Sequence, residues 1–249
     1  MKGSATYTLW LRSIKRYTRS KSRIIGSLAQ PLFFFLALGF GLGSVFSTQG
    51  GFDYLAFIAP GIIAMSVLFT SVFSGIQVLW DKQFGFLKET LIAPVSRNSI
   101  MLGQTLGGAT TALIQGLVMM IIISIFGKIA IGAGILIALG FMILISIAFT
   151  SLGIAIASKM EDMQGFQLIM NFLIMPIFFL SGALFPITSL PSWLKSVVYI
   201  NPLTYGVEGM RYGLTGASSI SPLISFIVLG GFCLIMVFLG GYLFRRMKV

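Results

Sequence analysis

The chain has 249 residues, 57% of them apolar and 9% charged, against about a quarter charged in a soluble domain. One cysteine and no histidine remove an intrachain disulfide, the commonest metal ligand and the usual general base. Several stretches exceed the roughly 20 apolar residues that cross a bilayer, and continuous runs without strand-like alternation exclude a transmembrane β-barrel.

Residues 5–22 place Tyr7, Trp10, Ile14 and Tyr17 at helical spacing, with Arg12, Lys15, Arg16 and Arg19 between them. This predicts an interfacial helix, aromatic side toward lipid and basic side toward anionic headgroups. The basic region is too long for a cleaved signal peptide, so the helix is expected to be retained. Span one is predicted over 24–46, with Gln30-Pro31 kinking it and Gly39 and Gly43 on a small-residue packing face. Span two covers 54–79 and contains Pro60, and span three covers 100–126 with Gly103 and Gly107 on one face. Spans four and five are predicted over 135–157 and 165–185, joined by the short turn Ser158 to Gln164. Then follows a stretch with prolines at 186, 191, 202 and 222. Its apolar face at Trp193, Leu194, Val197 and Val198 and a second segment over 205–214 predict two short re-entrant helices, buried by other parts of the protein. Span six covers 223–244. The fold class is an all-α integral membrane protein of six spans, a single domain over 1–249.

Between spans two and three lies the one sizeable polar interruption, 80–104. Trp80, Phe84, Leu87 and Leu91 fall at i, i+4, i+7 and i+11, one face of a helix, with Asp81, Lys82, Lys88, Glu89 and Thr90 on the others. Ala93-Pro94 ends the stripe, and Ser96 or Ser99 can cap the next helix. Periodicity alone favours a short helix lying on lipid; a docking surface is the other reading.

Seven of the 17 Lys and Arg precede residue 24, three lie in the 80–104 loop, and three close the chain. This bias predicts a multi-pass cell-membrane protein with both termini, the 80–104 loop and the turn near 160 in the cytoplasm. It also explains the net charge of +11 without nucleic acid as a partner; membrane lipid is the partner it fits. No acidic residue is placed mid-span, and Asp81, Glu89, Glu161 and Asp162 are expected to face water. That argues against a proton-coupled carrier. There is no catalytic or metal-binding constellation. No phosphate-binding G-x-x-x-x-G-K-[ST] loop occurs, and the Gly39 to Gly43 run lacks the strand-to-helix setting of a dinucleotide site.

Asn201-Pro202-Leu203-Thr204-Tyr205, followed by Glu208 and Arg211, resembles the signature of type-2 ABC exporter permeases just before their last span. Gly85, Leu87, Leu91, Pro94, Ser96 and Arg97 match the family's loop pattern, and Gln30-Pro31-Leu32 and the N-terminal helix are similar too. The resemblance covers the whole chain, and daunorubicin-resistance-like multidrug permeases look nearest. Ser99 departs from it, standing where many members carry a glutamate that would complete a capping box. The resemblance implies a permease subunit exporting an amphipathic or hydrophobic cargo. It implies a homodimer or paired permease working with two separate ATP-binding subunits, so the chain itself holds no cofactor. The loop becomes a coupling helix, docking the ATPase through Trp80, Asp81, Lys82, Phe84, Gly85, Leu87, Lys88, Glu89, Leu91 and Pro94. For Glu208 and Arg211 the residues alone imply an i, i+3 pair that offsets the cost of charge near lipid. The competing classes are a secondary carrier and a lipid-handling membrane protein without an ATPase.

Overall fold

Apolar runs of this length satisfy their backbone hydrogen bonds internally by forming helices. In the computed structural model, which describes residues 2–48, 53–92, 95–127 and 132–247, every long run does so. In chain order the helices are α1 (Lys2–Arg19), α2 (Lys21–Thr48), α3 (Tyr54–Ser74), α4 (Ile76–Gln83), α5 (Phe86–Ile92), α6 (Arg97–Gly127) and α7 (Ile135–Ala157). They continue with α8 (Met163–Ile169), α9 (Met175–Phe179), α10 (Ser192–Ile200), α11 (Pro202–Thr215) and α12 (Pro222–Arg245). The sequence also implies short outer turns over 48–53 and 127–134; of these, residues 49–52 and 128–131 lie outside the described residues.

Helix α3 is the axis of the bundle. Its apolar stretch is 72% buried, against 17% for α2 and 22% for α12, which sit at the periphery. It runs antiparallel to α6 and beside α7. Gly75 keeps helical dihedrals (φ −62°, ψ −32°), so α4 continues α3 with little change of direction. A Cβ at Gly75 would overlap the Gly153 carbonyl, and one at Gly153 would overlap the Val72 backbone. Here the backbones of α3 and α7 touch.

Two expectations change. Five helices, not six, are long and apolar enough to cross a membrane among the described residues. The fifth expected span is the shorter apolar segment Met163–Phe179, about 25 Å long at 1.5 Å per residue, short of a ~30 Å hydrocarbon core. It widens into a π-turn over Met170–Ile174. Pro176, two residues after that turn ends, has no N–H to return to the preceding carbonyls. The chain then turns at Gly182 (φ +70°).

Helix α1 also departs from its expected place. Thr6 bonds the Ser99 carbonyl, Trp10 Nε1 donates to Thr110 at 3.0 Å, and Tyr17 donates to Gln115. Leu9, Trp10 and Tyr17 of α1 therefore pack along α6 for more than four turns, while Tyr7 of the same stripe stays exposed. Gly103 and Gly107 make this possible, because a Cβ at either would strike Leu9 or Ser13. Gly39 likewise meets Leu55 of α3, whereas Gly43 has open space around it.

After span-like segment five, α10 descends and α11 returns. Gly206 packs on Ile145, Gly209 on Phe141 and Gly213 on Gly134 and Ala138, so α11 lies antiparallel to the first half of α7. The hairpin tip at Asn201 reaches the middle of the bundle. Helix α12 closes the fold along α7, with Phe232 against Phe149 and Phe226 against Phe141.

Candidate functional site

The single helix expected over residues 80–91 is two helices. Gly85 adopts φ +78°, a left-handed conformation that other residues tolerate poorly, and the chain changes direction between α4 and α5. Trp80 and Leu87 consequently do not share one face. Trp80 is half-buried, its Nε1 2.6 Å from Met163 Sδ. Leu87 is 1% exposed and belongs to the chain's own core. Phe84 is 82% and Ile92 83% exposed, and Glu89 is exposed beside them. Pro94 and the side chains of Lys88 and Leu91 lie outside the described residues.

Asp81 differs most from its expected place. It is 4% exposed, not facing water. Its carboxylate accepts from Arg12 at 2.7 Å and Gln77 at 3.2 Å through one oxygen, and from Gln104 at 3.3 Å through the other. Arg16 stands 3.9 Å away, and the Arg12 guanidinium also covers the Phe86 ring at 3.8 Å. Burial lowers the Arg16 pKa, as do Arg12 and Arg23, while Asp81 raises it. One buried carboxylate thus joins α1, α4 and α6, and the same arginine reaches α5. A buried ionised group persists when paired and hydrogen-bonded in this way.

The rest of this end is tied together by side chains on backbone carbonyls. Lys82 Nζ donates to Met160 O at 3.3 Å and Gln83 Nε2 to Glu161 O at 3.0 Å, clamping α4 to the turn between α7 and α8. Asp162 caps α8 through the Gly165 N–H. Ser96 caps α6: its Oγ accepts from the Ser99 N–H at 3.2 Å and pairs with the Ser99 hydroxyl at 2.8 Å. Arg97 donates to the Arg245 and Met247 carbonyls, holding the C-terminal end of α12 beneath the loop.

The 201–211 segment forms a second buried cluster at the hairpin. Asn201 Oδ1 caps α11 through Leu203 N at 3.0 Å, while its Nδ2 donates to Ile177 O at 2.6 Å and Leu180 O at 3.0 Å. Those carbonyls end α9, where no further helical turn exists to satisfy them. Pro202 occupies the first turn of α11, and Tyr205 donates to Tyr199 O at 2.8 Å. Glu208 is fully buried and Arg211 5% exposed. Arg211 pairs with Glu208, donates to Gly182 O at 2.8 Å, and lies 4.1 Å from the Phe57 ring centroid. Glu208 accepts from the Ser219 N–H with its other oxygen. The i, i+3 pair forms as the sequence implies, and protein surrounds it.

Sequence reasoning missed Arg12, Arg16, Gln77 and Gln104 around Asp81, and Phe57 beside Arg211. Only Gln77, one helical turn before Asp81, left a local signal; the others are joined by the fold. Among the described residues no three Asp, Glu, Cys or His side chains converge on a metal-sized site.

Comparison with known proteins bears on this arrangement. The family model for ABC-2 type transporter proteins matches residues 4–215. Nodulation protein J of Sinorhizobium fredii (strain NBRC 101917 / NGR234) is 28% identical over 206 residues, 82% of this chain and 78% of that protein. Nodulation protein J of Rhizobium meliloti (strain 1021) is 29% identical over 245 residues, 96% and 92% of the two chains. The inner membrane transport permease YadH of Escherichia coli (strain K12) is 26% identical over 227 residues, 90% and 88% of the two chains.

Proposed function

The chain belongs to the ABC-2 type transporter family, and from that premise we propose that it is the membrane-spanning permease subunit of an ATP-driven exporter. A separate ATP-binding subunit, in two copies, supplies the hydrolysis; this chain has no phosphate-binding loop of its own. Two permeases, identical or paired, enclose the path of an amphipathic or hydrophobic cargo. The end bearing the 84–96 loop faces the cytoplasm, as the excess of Lys and Arg there favours.

The observation that carries this reading is the contrast within the loop. Phe84, Glu89 and Ile92 are exposed, while Asp81, Lys82 and Gln83 are bonded into three neighbouring elements. A partner cleft that takes the exposed residues therefore grips a rigid piece. Displacing it moves α3 through α4, α1 through Asp81 and the α8 segment through the 158–162 turn. Closure of the ATPase pair on ATP would bias the permease pair between two arrangements by stabilising one of them. The π-turn in the α8–α9 segment is where that helix can change its length locally.

The test is to ask whether a P-loop ATPase is encoded beside this chain and to co-express the two. The two should co-purify, with ATPase activity in the complex and none above background in the permease alone. Robust hydrolysis by the isolated chain, or no associated ATPase, overturns the reading.

A further inference from the structure

At the bend between α1 and α2, three openings meet. A cleft of about 880 Å³ follows the basic side of α1, with Arg12 and Arg16 among its walls. A cavity of about 480 Å³ lies between α2 and α3, walled in part by Arg23, Phe69, Phe73 and Trp80. A neck of about 50 Å³ shares Arg12 and Arg16 with the cleft and Arg23 and Phe73 with the cavity.

Charge at the neck is unbalanced. Three guanidinium groups face one carboxylate, Asp81, which holds Arg12 at 2.7 Å and stands 3.9 Å from Arg16. No carboxylate among the described residues comes within 4 Å of Arg23, whose guanidinium lies 5.6 Å from the Trp80 ring centroid. Two positive charges are left over. Arg23 is exposed and Arg16 partly so, so water screens their mutual repulsion, and an anion bound between them gains charge-assisted hydrogen bonds from both. Beyond the neck Met65, Phe69, Phe73 and Ile76 supply surface that favours hydrocarbon over water, with Gln30, Thr70 and Ser74 as polar points among them.

We infer that this cavity is a binding site for an anionic amphiphile, a phosphate or carboxylate head with a hydrocarbon tail. The head sits at the neck against Arg23, with Arg16 beside it. The tail lies along Phe69 and Phe73. Trp80 closes the wall, and it is the residue before Asp81, so an occupied cavity presses on the helix that carries the loop. This site does not depend on the source of the driving energy and stands apart from the exporter reading.

The experiment is calorimetric titration of the full chain in neutral phosphatidylcholine nanodiscs, with dodecyl phosphate as probe. Dodecyl phosphate should bind saturably at one per chain. Dodecyltrimethylammonium should show no saturable binding, and inorganic phosphate should bind at least about a hundredfold more weakly, because it lacks the buried tail. Arg23→Gln should weaken dodecyl phosphate by roughly tenfold or more, and Arg23→Lys should retain most of the affinity, since the charge survives. Lys159→Gln, a cation removed elsewhere on the exposed surface, should change nothing. Equal binding of the cationic and anionic probes, or full affinity in a folded Arg23→Gln chain, overturns the proposal. Inorganic phosphate binding as tightly as dodecyl phosphate assigns the neck to a small free anion and overturns the amphiphile.

Discussion

Arg12 Nη2 and the Asp81 carboxylate meet at 2.7 Å across 69 positions of sequence, so the N-terminal helix is fastened to the foot of the loop helix through this carboxylate, with Arg16 at 3.9 Å beside it. Because Asp81 is nearly fully buried, removing its charge strands two guanidinium groups. Asp81→Asn should cost about 2–4 kcal/mol of stability. Arg12→Gln should cost less, about 1 kcal/mol, since that guanidinium is partly solvated. The double variant should lose less than the sum, by at least ~1 kcal/mol. Thermal unfolding in detergent micelles measures all three; strictly additive losses would show that the two groups do not act together.

The loop itself separates docking from folding. Phe84→Asp alters a side chain that touches little of its own protein, so stability should change by no more than about 0.5 kcal/mol. Co-purification of the ATPase should fall at least roughly tenfold, the effect of putting an unpaired carboxylate into an apolar cleft. Leu87→Asp should do the opposite, lowering membrane abundance before any binding can be measured, because Leu87 is inside the chain's own core. Normal ATPase retention by an abundant Phe84→Asp permease would sink the docking role.

The Glu208–Arg211 pair should behave as a structural unit. Breaking a buried pair from one side costs about 3–5 kcal/mol, whereas replacing both charges with apolar residues of similar size is often close to neutral. Glu208→Gln and Arg211→Met should each reduce the folded fraction in a heat-challenge assay, and Glu208→Leu with Arg211→Met should recover much of it. A double variant that folds well yet no longer exports would instead give these groups a part in handling cargo.

Orientation has a direct measurement. Gln83 and Ser192 are both exposed and lie at opposite ends of the bundle. With Cys233 replaced by alanine, Gln83→Cys should react with impermeant thiol reagents from the cytoplasmic side and Ser192→Cys from the outside. The reverse pattern overturns the topology.

Much of this fold follows from local rules. Runs of twenty apolar residues form helices because nothing else satisfies their backbones in lipid, and Gly103 and Gly107 do lie on one face of α6, the face on which α1 packs. Local rules fail where a distant partner decides. Asp81 reads as a solvent-facing loop residue until α1 and α6 bring Arg12 and Gln104 to it. The stripe from Trp80 to Leu91 has helical spacing, but a left-handed glycine in its middle outweighs periodicity. The fifth span has a full apolar run, and Pro176 with the turn at Gly182 shortens it. Asn201, Glu208 and Arg211 were legible as a pattern, but what they touch, the broken end of α9 and Phe57 of α3, depends on elements more than twenty residues away.

The contact of Gly75 with Gly153 divides one continuous helix into two unequal arms. From Gly75 to Gln83 the short arm is about 12 Å, and from Gly75 back to Tyr54 the long arm is about 32 Å, at 1.5 Å per residue. The two backbones touch there, and on the exporter reading a rotation of this helix against α7 would pivot at that contact. Rotation about it that shifts Gln83 by about 1 Å carries Tyr54 by between two and three times as far in the opposite sense, by the ratio of those arms. Tyr54 holds the Leu184 carbonyl, and Phe57, one turn on, lies under Arg211. On the exporter reading proposed above, a small stroke at the loop would arrive enlarged and reversed at the hairpin, on the far side of the bundle.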